Sequence, residues 1–203
     1  FMDGALSVNL TAYRIINNNL AQTAPFLADG VTPNSNSAFQ ELTGQTTSDG
    51  IELDISGHPV KVLELIAGYS YNNMRYTKTA DTEGSYVEGE RLVGTPANTA
   101  NGSAFYSFGN KLKGFKMGAS LFYTGNRFAG WNNKKGQDQD YSRLIPVKAF
   151  TTLDISVGYT FNNLSLLAKV SNLTNTYNYY VHENYSINPI APREFIATIR
   201  YKF

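Results

Sequence analysis

The chain has no cysteine, which removes disulfide frameworks, thiol nucleophiles and cysteine-ligated zinc or iron–sulfur centres in one step. Charge is also scarce. Only 16% of residues are Asp, Glu, Lys or Arg, against roughly a quarter in ordinary soluble domains. The 17 basic and 16 acidic residues nearly cancel to a net charge of +1, so the basic footprint of a nucleic-acid binder is missing. There are 2 histidines, too few for a His-rich metal site. No run of 18 apolar residues exists to form a transmembrane helix. Phe1-Met2-Asp3-Gly4 shows no charged segment leading into an apolar leader, so a mature chain or a piece of a longer one is expected.

What is present is aromatic and alternating. The 203 residues are 42% hydrophobic and 13% aromatic, with 14 Tyr and 12 Phe, and suffice for one domain. Mean hydropathy of −0.29 would suit a soluble protein. Transmembrane β-strands give the same value, because lipid-facing and lumen-facing residues alternate and their contributions cancel.

Period-2 alternation predicts eight strands, at about 5 to 16, 49 to 57, 62 to 76, 100 to 109, 116 to 128, 150 to 161, 163 to 172 and 194 to 203. In the last, Phe195, Ala197, Ile199, Tyr201 and Phe203 oppose Glu194, Thr198, Arg200 and Lys202. The connections alternate in length. Short turns lie at 57 to 61, 109 to 115 and 162 to 163, and long polar segments at 17 to 48, 77 to 99, 129 to 149 and 173 to 193. Outer-membrane barrels have this asymmetry, with short periplasmic turns and long extracellular loops. With the short turns inside, outward Tyr69, Tyr71, Tyr123 and Phe195 fall in outer halves, and Phe108, Tyr159, Phe161, Tyr201 and Phe203 at inner ends. Those are the two aromatic girdles of such barrels. Asn17-Asn18-Asn19, Asn34-Ser35-Asn36 and Asn132-Asn133 read as hydrated loop tips without cores of their own.

The C-terminal third carries a more specific pattern. Leu153-Asp154 opens a strand that passes Gly158-Tyr159; Val170-Ser171-Asn172-Leu173-Thr174-Asn175 follows, then Tyr177, Pro192-Arg193-Glu194-Phe195 and a terminal Arg200-Tyr201-Lys202-Phe203. Upstream, Gly94-Thr95-Pro96-Ala97-Asn98-Thr99-Ala100 leads into an inward-running strand. Over about residues 92 to 203 this resembles the TonB-dependent outer-membrane transporters, within them the ferric-siderophore receptors. The resemblance implies an all-β fold of antiparallel up-and-down transmembrane β-barrel strands. About eight are present, the C-terminal portion of a larger barrel of about 22 strands with a plugged lumen. No plug domain or TonB box is recognised in residues 1 to 203. The resemblance further implies a Gram-negative outer membrane, import of ferric siderophore or a similar chelate, and energy from the TonB complex through the part not present. The expected partners are that chelate, TonB and outer-membrane lipid, without nucleic acid, and no cofactor is expected. Phe195, Tyr201 and Phe203 resemble the C-terminal signal by which barrels are assembled.

Three other readings stay open at this point. Eight is also the strand number of complete small outer-membrane barrels with a structural or adhesion role. A soluble barrel would instead turn the Leu, Val and Phe face inward. An enzyme is not expected: His58 sits in a short turn and His182 in the last long loop, and no G-x-S-x-G or Walker A motif occurs. Asp81, Glu83, Glu88 and Glu90 match no defined cation loop, and a hydrated loop is their plain reading. For ligand contact the candidates are Trp131, Tyr141, Arg143, Tyr177, Tyr179, Tyr180 and Tyr185 in the long loops, since aromatic rings bury area while keeping a polar tip. Arg127 is a further candidate for attracting an anionic chelate.

Overall fold

In the computed structural model, residues 5–36, 38–80, 87–131, 144–182 and 186–203 are described, with Trp131 and His182 described in backbone only. Eight strands form one antiparallel sheet: β1 (Leu6–Thr23), β2 (Gln40–Val60), β3 (Leu63–Lys78), β4 (Asn98–Ser107), β5 (Phe115–Thr124), β8 (Phe150–Phe161), β9 (Leu164–Ser171) and β12 (Glu194–Tyr201), each paired with the next. Two hairpins stand apart in the long connections, β6 (Arg127–Trp131) with β7 (Leu144–Val147) and β10 (Tyr179–His182) with β11 (Ser186–Pro189).

Register puts whole rows of like residues side by side. One row crosses all eight strands as Leu6, Gly57, Leu65, Ala104, Ala119, Ile155, Val170 and Phe195. On the opposite face, Glu64, Phe105, Gly118, Ser156, Lys169 and Ile196 align across β3 to β12. Among the described residues nothing packs over the first face. Leu10, Ile51, Leu121, Phe161, Leu166 and Ile199 on that face are all exposed, and among the described residues no large side chain is fully buried. A soluble barrel or sandwich would collect these residues into a dry centre, so that reading fails.

β1 and β12 are the two ends of the sheet and do not pair with each other. The chain therefore does not close on itself as a small eight-stranded barrel does. Backbone groups along an open edge have no partner in hydrocarbon, so closure needs further strands.

The short turns are sharply specified. Asn162 takes a left-handed conformation (φ 51°) in the two-residue link from β8 to β9, where Asn is favoured. Gly114 (φ +93°) precedes β5, and a Cβ there would lie 2.2 Å from the Thr160 carbonyl oxygen, so only glycine fits.

Two expectations are corrected. Half of the first long loop, 17 to 48, is strand: β1 and β2 run on as a tall hairpin, paired up to Thr23 and Gln40. Above the membrane both faces are polar, so alternation fades while backbone pairing continues. The loops also pack. Ala24, Tyr76, Ala80, Ala129, Val147 and Phe150, the buried apolar residues among those described, all lie at or beyond the loop ends of the strands. At the hairpin tip, Asp29 accepts hydrogen bonds from Val31 N–H (3.0 Å), Thr32 N–H (2.9 Å) and the Thr32 hydroxyl. These bonds lower its pKa from an ordinary 3.8 to about 2.

Candidate functional site at the extracellular rim

The loop-bearing end of the sheet is organised by two polar side chains. Asn172 closes β9 in a left-handed conformation (φ 48°) and is 4% exposed. Its Nδ2 donates to the carbonyls of Thr176 and Ala191, both at 3.0 Å, and its Oδ1 accepts from Thr176 N–H at 2.9 Å. Its own N–H donates to Asp154 Oδ1 at 2.9 Å, and Asp154 pairs with Lys169 at 2.8 Å. Asn175, also left-handed (φ 53°), accepts from Arg193 N–H at 3.0 Å. Asn172 thus ties the end of β9 to β8, to its own loop and to the segment that returns into β12. Asn tolerates this conformation and hydrogen-bonds its own loop, which is why it occupies such corners.

The second is Arg127, at the start of β6. It is 5% exposed and donates to Asn178 Oδ1 (3.1 Å), the Tyr179 carbonyl and the Lys148 carbonyl (3.4 Å). Its guanidinium carbon lies 5.4 Å from the Phe150 ring centroid and 5.8 Å from that of Tyr180. Those rings meet edge to face at 6.1 Å. Burial pulls the Arg127 pKa down, yet an arginine keeps its charge in proteins. Among the described residues it has no carboxylate partner; carbonyl dipoles and ring faces hold it instead. Arg127 is therefore a strut between the two extracellular hairpins, and the expectation of a free surface cation is corrected.

Below these hairpins lies a concavity of about 610 Å³, lined by Phe150, Tyr180, Asn172, Thr152, Asn101 and Ala191 among others. A second, of about 500 Å³, follows the polar face toward the periplasmic end past Asp154, Lys169, Lys116 and Arg200. Apolar and hydroxyl-bearing walls with a few charges suit a bulky polar solute.

The family model described as TonB dependent receptor-like, beta-barrel matches residues 1–173. The chain belongs to that family. As a TonB-dependent receptor barrel it has a metal-pseudopaline receptor of Pseudomonas aeruginosa as a relative, 28% identical over 206 residues. That match takes in 100% of this chain and 26% of the relative. A ferrioxamine B receptor of Salmonella typhimurium is 30% identical over 139 residues, 64% of this chain and 18% of its own length. Among solved structures, the ferripyoverdine receptor of the Pseudomonas aeruginosa outer membrane superposes with a TM-score of 0.79 at 19% identity. It covers 100% of this chain, which covers 26% of it. The ferric preacinetobactin receptor of Acinetobacter baumannii gives 0.79 at 19% identity, over 98% of this chain and 28% of that one. The chain thus spans about a quarter of the length of its relatives, and the apolar face of the receptor barrel is the outer-membrane face.

Of the expected contact residues, the receptor fold brings Tyr179 and Tyr180 together. Tyr180 is 53% exposed, its ring over Arg127 and Phe150, while Tyr179 lends its carbonyl to Arg127. Tyr177 is 82% exposed and stands apart. Trp131 ends β6 opposite Leu144. Its side chain, and Tyr141, Arg143 and Tyr185, lie outside the described residues, as do Asp81 and Glu83. Glu90 is buried, and its carbonyl accepts from Tyr76 N–H at 3.0 Å. Phe195, Tyr201 and Phe203 all project from exposed positions of β12 and the residues after it, and the Tyr201 and Phe203 rings touch edge to face at 5.1 Å. Asn172 and Arg127 were not recognised as organisers from sequence. The first had a signal, the Asn172-Leu173-Thr174-Asn175 corner; the second had none.

The strut has a measurable consequence. Arg127→Ala in the full-length receptor is expected to lower amide-exchange protection over Tyr179–His182 by about tenfold to a hundredfold, the loss of one or two charge-assisted hydrogen bonds. Arg127→Lys should not restore it, because an ammonium lacks the planar fork. Unchanged protection in the alanine variant would remove the strut.

Proposed function

We propose that the chain is the C-terminal eight strands of an outer-membrane receptor that imports a ferric siderophore with energy from the TonB system. The carrying observation is the open eight-stranded sheet with an uncovered apolar face and a polar concave face, capped by aromatic hairpins at one end. Relatives named as receptors for ferrioxamine B and for metal-pseudopaline support the cargo class. TonB would act through residues outside this chain. Trp131, Tyr141, Arg143, Tyr177, Tyr179, Tyr180 and Tyr185 are the candidate chelate contacts, and Phe195, Tyr201 and Phe203 the assembly signal.

A receptor is favoured over an enzyme. His58 lies in the turn between β2 and β3, and its N–H donates to the Ala5 carbonyl at 2.7 Å. His182 ends β10, at the opposite end of the sheet. The two residues stand at opposite ends of the sheet, and among the described residues no cluster of metal-ligating groups occurs.

The test uses the full-length receptor. Tyr177→Ala with Tyr180→Ala is expected to weaken binding of its ferric siderophore about tenfold, the cost of truncating one well-packed aromatic contact. TonB-dependent uptake of radiolabelled iron should fall in parallel. Tight binding of a cobalamin or a sugar, with no ferric chelate bound by the parent, would overturn the cargo.

A further inference from the structure

The lipid-facing side of β1 to β3 changes character abruptly at one height. Ala12, Ile51 and Tyr71 form the last apolar row. The next row up on the same face is Arg14, Asp49 and Asn73, and the one above it Ile16, Thr47 and Arg75. Arg91 lies directly opposite Arg75 in an antiparallel bridge and so starts from the same face. The first register shifts come only beyond these rows, at Asn18/Leu20 and Gln45/Thr46, so alternation keeps all three arginines on the outside wall.

Their depth follows from strand geometry. Leu63 is the lowest outward residue of β3 and pairs with Tyr106. Ten residues at about 3.3 Å each, tilted by about 40°, place Asn73 about 25 Å above it. That is the full height of the apolar band of an outer-membrane barrel, so the arginines stand at the headgroups of the outer leaflet.

The cluster is built rather than scattered. Asp49 receives Arg14 through two bonds, at 2.5 and 3.2 Å, and holds Arg75 at 3.6 Å. Arg91 donates to the Asn72 carbonyl at 2.9 Å. Among the described residues, one carboxylate, Asp49, faces Arg14 and Arg75, and Arg91 is held by a carbonyl, so positive charge is in excess. Arg14 uses two of its five donors on Asp49 and keeps donors to spare. Facing away from the lumen, these groups cannot serve a solute passing through it. What meets them is an anionic lipid headgroup, and the planar guanidinium fork matches phosphate.

We propose that Arg14 and Arg75, oriented by Asp49 and joined by Arg91, bind the phosphate of a phosphorylated glycolipid in the outer leaflet. The site rests on the outward assignment of the apolar face, not on which cargo the parent imports.

The experiment uses the full-length receptor in mixed micelles containing bis-phosphorylated lipid A, with bound lipid counted by native mass spectrometry. Wild type should retain lipid A. Retention should drop at least tenfold in R14Q/R75Q and at least tenfold for dephosphorylated lipid A. Asp49→Asn removes the carboxylate that competes with phosphate for Arg14 and Arg75 and should raise retention, whereas a purely structural ion pair would make it behave like R14Q/R75Q. Millimolar inorganic phosphate should not displace the lipid; displacement would make the site one for free phosphate and overturn the lipid assignment. Equal retention by R14Q/R75Q, with unchanged heat-modifiability on gels to show folding, would also overturn it. Iron uptake, assayed separately, should be unaffected in R14Q/R75Q, so loss of this site and loss of the import reading are distinguishable.

Discussion

Asn172→Ala should destabilise the full-length receptor by about 3 to 4 kcal/mol, measured as the shift in urea unfolding in detergent or liposomes. The side chain makes three hydrogen bonds from a site that is nearly closed to water. Each partner left unpaired costs about 1 kcal/mol or more, and alanine at this left-handed backbone adds about 1 kcal/mol. Asn172→Gly separates the two contributions: it removes the backbone strain but not the lost bonds, so it should recover only about 1 kcal/mol. The loss should reach function as well. Thr176 and Ala191 border the segments that carry Tyr177, Tyr179 and Tyr180, and their release would let the β10–β11 hairpin drift from Arg127. An Asn172→Ala receptor within about 1 kcal/mol of wild type would remove Asn172 from its place at the centre of this corner.

The second large effect tests the membrane face itself. Ile155 stands midway along the outward residues of β8, beside Ala119 and Val170. Ile155→Arg should cost about 2 to 4 kcal/mol, the range for an arginine at the bilayer midplane of a barrel. Tyr71→Arg, on the same face at the upper rim, should cost no more than about 1 kcal/mol. Thr152→Arg, on the polar face next to Asp154, should cost less than Ile155→Arg. The depth gradient carries the information, because a soluble core would penalise both outward positions alike. A flat profile would contradict the membrane assignment.

Within the membrane the sequence announces its strands. The expected run at 150 to 161 is the observed β8, and 62 to 76 differs from β3 only at its ends. Lipid and water impose opposite demands on alternate residues there, so period 2 is written into side-chain type. Above the membrane that contrast is absent. Asn17, Asn18 and Leu20 therefore read as loop although they pair with Thr46, Gln45 and Gly44. The expected strand at 116 to 128 breaks after Thr124, where Gly125 N–H donates to the Asn98 carbonyl and Asn126 accepts from Ala149 N–H. Nothing local distinguishes that break from continued alternation.

Residue type and order alone determined the β architecture, the lipid-facing stripe and the inside-to-outside direction of each strand. All of these follow from which side chains tolerate hydrocarbon and from short-range turn chemistry. Only the tertiary structure decided that Arg127 is a buried strut, that the sheet is open at β1 and β12, and that Arg14, Asp49, Arg75 and Arg91 meet on the outer wall. Those depend on register between strands and on partners distant along the chain, which no local window of sequence contains.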